Sequence, residues 1–175
     1  LRVRQTTLTS AWAAGGNLNS AREGMASSGN GTQTAGLVFG GVNPSTTVLS
    51  VTESYNGSNW TEVSDLNSAR GYLAGAGTQT SALASTGYTT SGPPNTNTVN
   101  VESWDGSSWT EVANVNTSKR FPGGVGANNT SALTFGGAAA PPGYTLLAAT
   151  ESWNGSSWTE VSDLNSARAT IAVGG

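Results

Sequence analysis

Glu53-Ser-Tyr-Asn-Gly-Ser-Asn-Trp-Thr-Glu-Val63 is the stretch of sequence that decides the fold. It recurs almost unchanged as Glu102-Ser-Trp-Asp-Gly-Ser-Ser-Trp-Thr-Glu-Val112 and as Glu151-Ser-Trp-Asn-Gly-Ser-Ser-Trp-Thr-Glu-Val161. The copies begin at residues 53, 102 and 151, so the chain repeats with a period of about 50 residues. A repeat of this length is one supersecondary unit that buries its faces only against its neighbours.

One complete unit, from Leu66 to Val115, shows how such a repeat folds. Gly, Asn and Pro separate four short segments, and none of the four has a helical period. Short strands with this punctuation, repeated about every 50 residues, are typical of β-propeller blades. The sequence therefore predicts an all-β propeller of four-stranded antiparallel blades. The predicted strands of this unit are Tyr72–Ala76, Ser81–Ala84, Val99–Trp104 and Trp109–Val112, with a turn at 77–79 after the first.

The repeat boundaries predict one propeller domain, or a segment of one, over residues 1–175. Three complete blades are predicted at about 19–66, 67–115 and 116–164, and residues 1–18 and 165–175 supply parts of a split blade. Three ways of completing the propeller ring remain open. Either the chain is part of a longer polypeptide, or it pairs with a second copy through composite blades, or it closes alone as a small ring.

An aromatic pair flanks a tight turn in every unit. Asn-Gly and Asp-Gly tolerate the positive φ that tight hairpins require, so each turn is predicted to join strands three and four. Cross-strand aromatic contacts stabilise such hairpins, so we interpret the pairs as framework; a sugar-stacking platform is the alternative. The six framework residues are Tyr55, Trp60, Trp104, Trp109, Trp153 and Trp158.

The repeat resembles the kelch repeat of β-propellers. A basic residue opens each first strand, a Gly doublet ends the second (Gly40-Gly41, Gly136-Gly137), and a Glu-x-Tyr/Trp segment precedes a Trp. The basic residues are Arg22, Arg70, Lys119 and Arg168. The Tyr-to-Trp hairpin is shorter than the usual kelch spacing, and Thr86-Gly87 stands in place of one doublet. The chain therefore resembles a divergent kelch relative, and the partners of that family are not carried over.

A second resemblance concerns the wording of the repeat. Asn-Gly-Ser-Ser-Trp-Thr-Glu-Val, at residues 154–161, is similar to repeats in structural or tail-associated proteins of marine bacteriophages. This resemblance implies a location on a virion surface. The expected location is therefore extracellular or on a virion surface.

Composition excludes several classes of function. Net charge is −3, so no basic surface is expected for nucleic acid. No stretch approaches the roughly 18 apolar residues that would suggest membrane insertion. Histidine and cysteine are absent, so the commonest general base, the strongest nucleophile and most transition-metal ligands are missing. We predict no catalytic residues, no metal site and no cofactor.

Carboxylates are the remaining chemical groups. Eight of the ten recur at equivalent positions, so we expect a structural use, such as pairing with the Arg70-type residue or blunting an outer strand. The two exceptions are Glu23 and Asp105, and Asp105 replaces Asn in a turn. A carboxylate-dependent glycosidase or lyase is the third hypothesis for function, with Glu23 and Arg120 as the first residues to mutate.

The places where the units differ indicate a candidate site. Antiparallel strands put the loops between second and third strands, and the links between blades, on one rim, and length and content vary mainly there. Neutral drift is the alternative explanation for this variation. The candidate ligand contacts are Glu23, Tyr72, Tyr88, Arg120, Phe121 and Tyr144.

Two functions follow from this pattern. The first is a non-enzymatic binding module whose variable-loop rim recognises a glycan or a surface protein. The second is an assembly scaffold that completes a ring by self-association through exposed blade faces.

Overall fold

The computed structural model describes residues 15–89, 96–140 and 143–170, and within them every regular element is a β-strand. The predicted partial blade lies largely outside these ranges, since residues 1–14 and 171–175 are not among them. In chain order the strands are β1 (Ala26–Ser27), β2 (Gly36–Phe39), β3 (Thr52–Tyr55), β4 (Trp60–Val63), β5 (Ala74–Thr78), β6 (Ser81–Ser85), β7 (Val101–Trp104), β8 (Trp109–Val112), β9 (Gly123–Asn128), β10 (Ser131–Phe135), β11 (Thr150–Trp153) and β12 (Trp158–Val161).

The strands form three four-stranded antiparallel sheets, each built from four consecutive strands in sequential order. We call β1–β4 blade one, β5–β8 blade two and β9–β12 blade three. The first strands are neighbours, because β5 lies beside both β1 and β9. The predicted all-β fold of four-stranded antiparallel sheets is confirmed, and its arrangement is that expected of propeller blades.

The hydrophobic cores lie between blades. In the first core, Leu37 and Phe39 of blade one pack on Ala82, Trp104 and Trp109 of blade two. The Phe39 ring meets the Trp109 ring edge-on, with centroids 4.8 Å apart. The second core joins blades two and three in the same way, around Ala76, Leu83, Val101, Ala132, Trp153 and Trp158. Each blade is therefore stabilised by its neighbours, as expected for a repeat array.

The aromatic pairs occupy opposed positions on strands three and four of each blade. Trp104 lies opposite Trp109 with ring centroids 5.3 Å apart, and Tyr55 lies opposite Trp60 at 4.9 Å. The third pair, Trp153 and Trp158, repeats the spacing of 5.3 Å. These are the cross-strand contacts expected from the interpretation of the aromatic pairs as framework residues.

The turns between these strands differ from the expected tight turns. The loop spans four residues, 56–59, between the paired Tyr55 and Trp60. The side-chain oxygen of Asn56 accepts hydrogen bonds from the N–H groups of Ser58 and Asn59 at 3.0 and 2.9 Å. Positive φ within this turn occurs at Gly57, at 93°, and not at Asn56. Asn therefore acts as a hydrogen-bond acceptor in an Asx turn, while Gly supplies the unusual backbone angle.

Asp105 makes the same turn in blade two. Its Oδ1 accepts hydrogen bonds from the N–H groups of Ser108 and Ser107 and from the Ser107 hydroxyl. These hydrogen bonds, led by the one from the Ser108 backbone, lower the pKa of Asp105 to about 2. The interpretation of Asp105 as a turn residue is confirmed.

The first strand of blade two begins later than predicted. It runs over Ala74–Thr78 rather than from Tyr72, because Tyr72 has a φ of 51° that is incompatible with a strand. The turn predicted at 77–79 falls later, at residues 79–80, since Gly77 pairs with Ala82 and the ladder continues to Thr78 opposite Ser81.

Blade two lacks the Gly doublet, but its backbone at that position has the same conformation as in the other two blades. Thr86 has a φ of 62°, close to the 66° of Gly40 and the 64° of Gly136. A β-branched residue is strained there, so the neighbouring structure, and not the local sequence, imposes this conformation.

Buried ion pairs hold the start of each unit to its own third strand. Arg22 pairs with Glu53 at 2.5 Å, Arg70 pairs with Glu102, and Lys119 lies 3.5 Å from Glu151, all with buried side chains. The expected pairing of repeated carboxylates with the basic residue is confirmed for these three glutamates. Each also accepts a backbone N–H from the preceding link, at Asn19, Asn67 and Asn116.

Candidate functional site

The candidate residues lie on one rim of the sheets. We define the variable-loop rim as loops 40–51, 86–100 and 136–149, excepting residues 90–95 and 141–142, with the segments 18–25, 66–73 and 115–122. Isolated bridges extend each blade into this rim, for example Gly71 with Tyr88 and Tyr88 with Asn97. In blade three the corresponding bridges join Arg120 to Ala138 and Ala138 to Leu146. Positions that differ between blades are therefore held by the same backbone scaffold.

Equivalent residues enter the first strands through a left-handed turn. The φ values are 57° at Gly24, 51° at Tyr72, 56° at Phe121 and 56° at Thr170. Backbone hydrogen bonds connect them from blade to blade: Tyr72 N–H donates to Gly24 at 2.6 Å and Phe121 N–H to Tyr72 at 2.9 Å. Thr170 N–H donates to Phe121 at 3.0 Å. Bulky residues rarely adopt this conformation, and it costs roughly 1–3 kcal/mol at each of them.

Tyr72 sits at the middle of an aromatic cluster. Its ring stacks on Tyr88 with centroids 5.7 Å apart and tilts against Phe121 at 4.6 Å. Its hydroxyl donates a 2.7 Å hydrogen bond to Oε1 of Glu23. This hydrogen bond, followed by burial and the nearby negative charge, raises the pKa of Tyr72 to about 12. Tyr72 is consequently a neutral donor at physiological pH, and it links blade one to blade two.

Arg120 completes the cluster from blade three. Its guanidinium lies 4.3 Å from the centre of the Tyr144 ring, 5.8 Å from Tyr88 and 5.9 Å from Phe121. Burial raises the pKa of Tyr88, while the positive charge of Arg120 opposes that rise. The six candidate residues thus form one connected set, from Glu23 through Tyr72, Tyr88 and Phe121 to Arg120 and Tyr144. That they contact a ligand stays a prediction.

A cavity of about 250 Å³ opens beside this cluster. Tyr72 and Phe121 line it together with Gly24 and Thr170, so all four left-handed turns border the same space. Met25 and Leu73 contribute apolar wall. Thr170 was not among the predicted ligand contacts, although it occupies the repeat position of Tyr72 and Phe121.

A second cavity of about 340 Å³ lies at the blade-one side of the rim, beside Glu23, Val42, Asn43 and Pro44.

Asn97 was not predicted from the sequence to have a role. It is buried, and its Nδ2 donates a 3.0 Å hydrogen bond to the Ala138 carbonyl, which ties the blade-two loop to blade three.

The six candidate residues offer aromatic faces, tyrosine hydroxyls, one carboxylate and one guanidinium, all held by the backbone of the rim. Over residues 15–89, 96–140 and 143–170 there is no group of three or more His, Cys, Asp or Glu side chains that could hold a metal ion. Nor do these ranges contain a helix of the length and apolarity needed to cross a membrane.

Comparisons with known proteins agree with the fold. No family model matches the sequence, and no curated protein matches it. Among solved structures, that of YjhT is similar, with a TM-score of 0.64 at 12% sequence identity. The match covers 78% of this chain and 43% of the YjhT chain, so the chain spans less than half of that protein. At this identity the likeness concerns the fold alone: a repeated all-β architecture of four-stranded antiparallel sheets.

Proposed function

We propose that this chain is a non-enzymatic recognition module that binds a glycan through the variable-loop rim, at an extracellular or virion surface. One observation carries the proposal: the six candidate residues, at positions where the units differ, converge into a single aromatic and charged cluster beside a cavity. The backbone brings equivalent positions of neighbouring blades together, and this chain places aromatic and charged side chains there.

Two further features support this proposal. Tyr72 and Phe121 are held at φ values that glycine alone adopts without strain, and such strain is concentrated at functional sites. Aromatic faces next to hydrogen-bonding groups also suit hydroxylated ligands such as saccharides. The resemblance of the repeat to bacteriophage tail-associated proteins favours the surface location.

A screen against surface glycans and host cells tests the proposal. Phe121→Ala and Tyr144→Ala each remove an aromatic face of the rim, and each is expected to weaken binding at least fivefold, about 1 kcal/mol. Asn59→Ala, in the turn at the opposite edge of blade one, is the matched control and should bind normally. Absence of binding, or binding that ignores both aromatic changes, contradicts the proposal. Binding to cells that survives removal of their glycans would identify a surface protein instead.

A second function, an assembly scaffold, is favoured by one specific observation. Val125, Leu133 and Val161 of blade three are exposed large apolar side chains. Their sheet face corresponds to the faces with which blades one and two pack against the next blade. We infer that a blade of a second copy covers it, because a blade face is what this surface accepts elsewhere in the molecule. A chain that stays monomeric by mass measurement at high concentration would contradict this role.

A further inference from the structure

Arg120 is a buried cation without a hydrogen-bond partner at two of its nitrogens. The residue is 2% exposed, and neither Nε nor Nη2 has a hydrogen-bond acceptor. Arginine does not lose its proton in proteins, so the positive charge remains in this buried position. Aromatic faces surround it, but a ring is a much weaker hydrogen-bond acceptor than a carboxylate or carbonyl oxygen.

The other buried cations of the same molecule show what is missing. Arg22, Arg70 and Lys119 each lie within ion-pair distance of a buried glutamate. Arg70 leaves its Nε without an acceptor, yet its Nη atoms donate to Glu102 and to the Asn100 carbonyl. Arg120 is the departure from this rule, and it stands where the other units carry Glu23, Gly71 and Ala169.

No carboxylate side chain of the chain fills the gap. All ten Asp and Glu residues lie within the described ranges, and none forms an ion pair with Arg120. A buried charge with no counter-charge is strongly unfavourable unless something supplies one. No carboxylate of the described residues therefore supplies a negative partner for Arg120.

We propose that Arg120 binds an oxyanion, a carboxylate first of all, carried by the ligand of the variable-loop rim. The inference rests on the proposed recognition function and gives the chemical class of its ligand, an acidic saccharide. Nε and Nη2 lie side by side on one edge of the guanidinium, which is the edge that grips both oxygens of a carboxylate.

Tyr144 is the exposed ring beside the Arg120 guanidinium. It is 51% exposed, whereas Tyr88 is buried and Phe121 half-buried. The Tyr144 ring therefore offers a ligand an aromatic face 4.3 Å from the guanidinium carbon. The buried Tyr88 and the half-buried Phe121 keep the rest of the guanidinium out of water, so the anion replaces no strong hydration there.

Binding of glucuronate and of glucose to the intact protein tests this inference, because the two sugars differ by a carboxylate in place of a hydroxymethyl group. We expect glucuronate to bind at least tenfold more tightly, with a shift of the Arg120 Nε–H resonance in ¹⁵N-labelled protein. Acetate should compete with glucuronate. Arg120→Leu should remove the preference for glucuronate over glucose.

Thermal unfolding of two leucine variants separates a ligand-binding arginine from a structural one. Arg120→Leu removes a charge that lacks a partner, so its Tm should equal or exceed that of the parent. Arg70→Leu leaves Glu102 buried and unpaired, so its Tm should fall by several degrees. A fall in the Tm of Arg120→Leu as large as that of Arg70→Leu would show that the guanidinium serves the fold, and the inference would be lost.

The outcomes distinguish this inference from the proposed function. Equal binding of glucose and glucuronate, with glycan recognition intact in the surface screen, overturns the anion site and leaves the recognition role standing. No binding of either sugar, together with a negative screen, removes both. Tighter binding of glucuronate that persists in Arg120→Leu assigns the anion to another residue and overturns the inference.

Discussion

At the residue scale, a single repeat position decides whether a tryptophan in the core is fully hydrogen-bonded. The indole Nε1 of Trp109 donates to the hydroxyl of Thr52 in the preceding blade, at 3.1 Å. The equivalent indole of Trp158 is buried with no acceptor. The residue in the place of Thr52 is Val101, which has no oxygen in its side chain. The replacement of a hydroxyl group by a methyl group therefore leaves the buried Trp158 N–H without an acceptor.

Exchanging these two side chains tests that explanation. Thr52→Val should lower the free energy of unfolding by about 1–3 kcal/mol, because it leaves the buried Trp109 N–H without an acceptor. Val101→Thr places a hydroxyl beside Trp158 and should be neutral or stabilising by up to about 1 kcal/mol, although a buried Val to Thr change normally destabilises. Urea denaturation of both variants provides the measurement. Equal losses in the two would refute the pairing of each indole with the preceding blade.

At the scale of the element, the segment that opens each unit is held in place by the two Nη groups of its arginine. Arg70 donates to Glu102 and, through Nη1, to the Asn100 carbonyl at 2.7 Å. Arg22 does the same with Glu53 and the Val51 carbonyl. Lys119 has a single nitrogen, which lies 3.5 Å from Glu151 and makes no hydrogen bond. Burial lowers the pKa of Lys119, and this effect is larger than the opposing effect of the negative charge of Glu151. Blade three is therefore the least firmly linked unit.

Lys119→Arg should stabilise the protein by about 1 kcal/mol, since the guanidinium reaches both Glu151 and the Ala149 carbonyl. The reverse change in blade two, Arg70→Lys, should destabilise by a similar amount. Urea denaturation again measures both free energies. A loss of stability in Lys119→Arg would mean that the third link is shaped for lysine.

At the scale of the whole molecule, the three sheets differ in what covers their outward faces. Leu37 and Leu83 are 1% and 2% exposed, because the next blade packs on each. Leu133 occupies the same position in blade three and is 37% exposed. The same sequence position is thus core in two blades and surface in the third.

Leu133→Asp tests whether that face is a contact between copies. The change should abolish concentration-dependent association, measured by sedimentation, while altering the stability of the monomer by less than about 1 kcal/mol. Leu83→Asp is the matched control. It buries a charge between blades two and three, so it should unfold the protein. Association that survives Leu133→Asp would exclude this face as the contact.

The repeat by itself determined the number and order of the strands, the aromatic pairs and the use of the repeated glutamates. It could do so because a period of about 50 residues copies the same local pairing three times. The variation between units also pointed to Glu23, Tyr72, Tyr88, Arg120, Phe121 and Tyr144. Local sequence was less able to give the start of β5 or the Asx turns, because the left-handed φ of Tyr72 and the side-chain hydrogen bonds of Asn56 have no pattern of their own.

Only the tertiary structure decided which exceptions meet. Glu23, Tyr72 and Phe121 come from different blades and lie far apart in sequence, and the packing of β5 against β1 and β9 brings them together. The same packing determines that Arg120 is buried without a carboxylate while Arg70 has one. Spacing along a chain specifies local ladders, whereas burial and charge pairing depend on what the neighbouring blade presents.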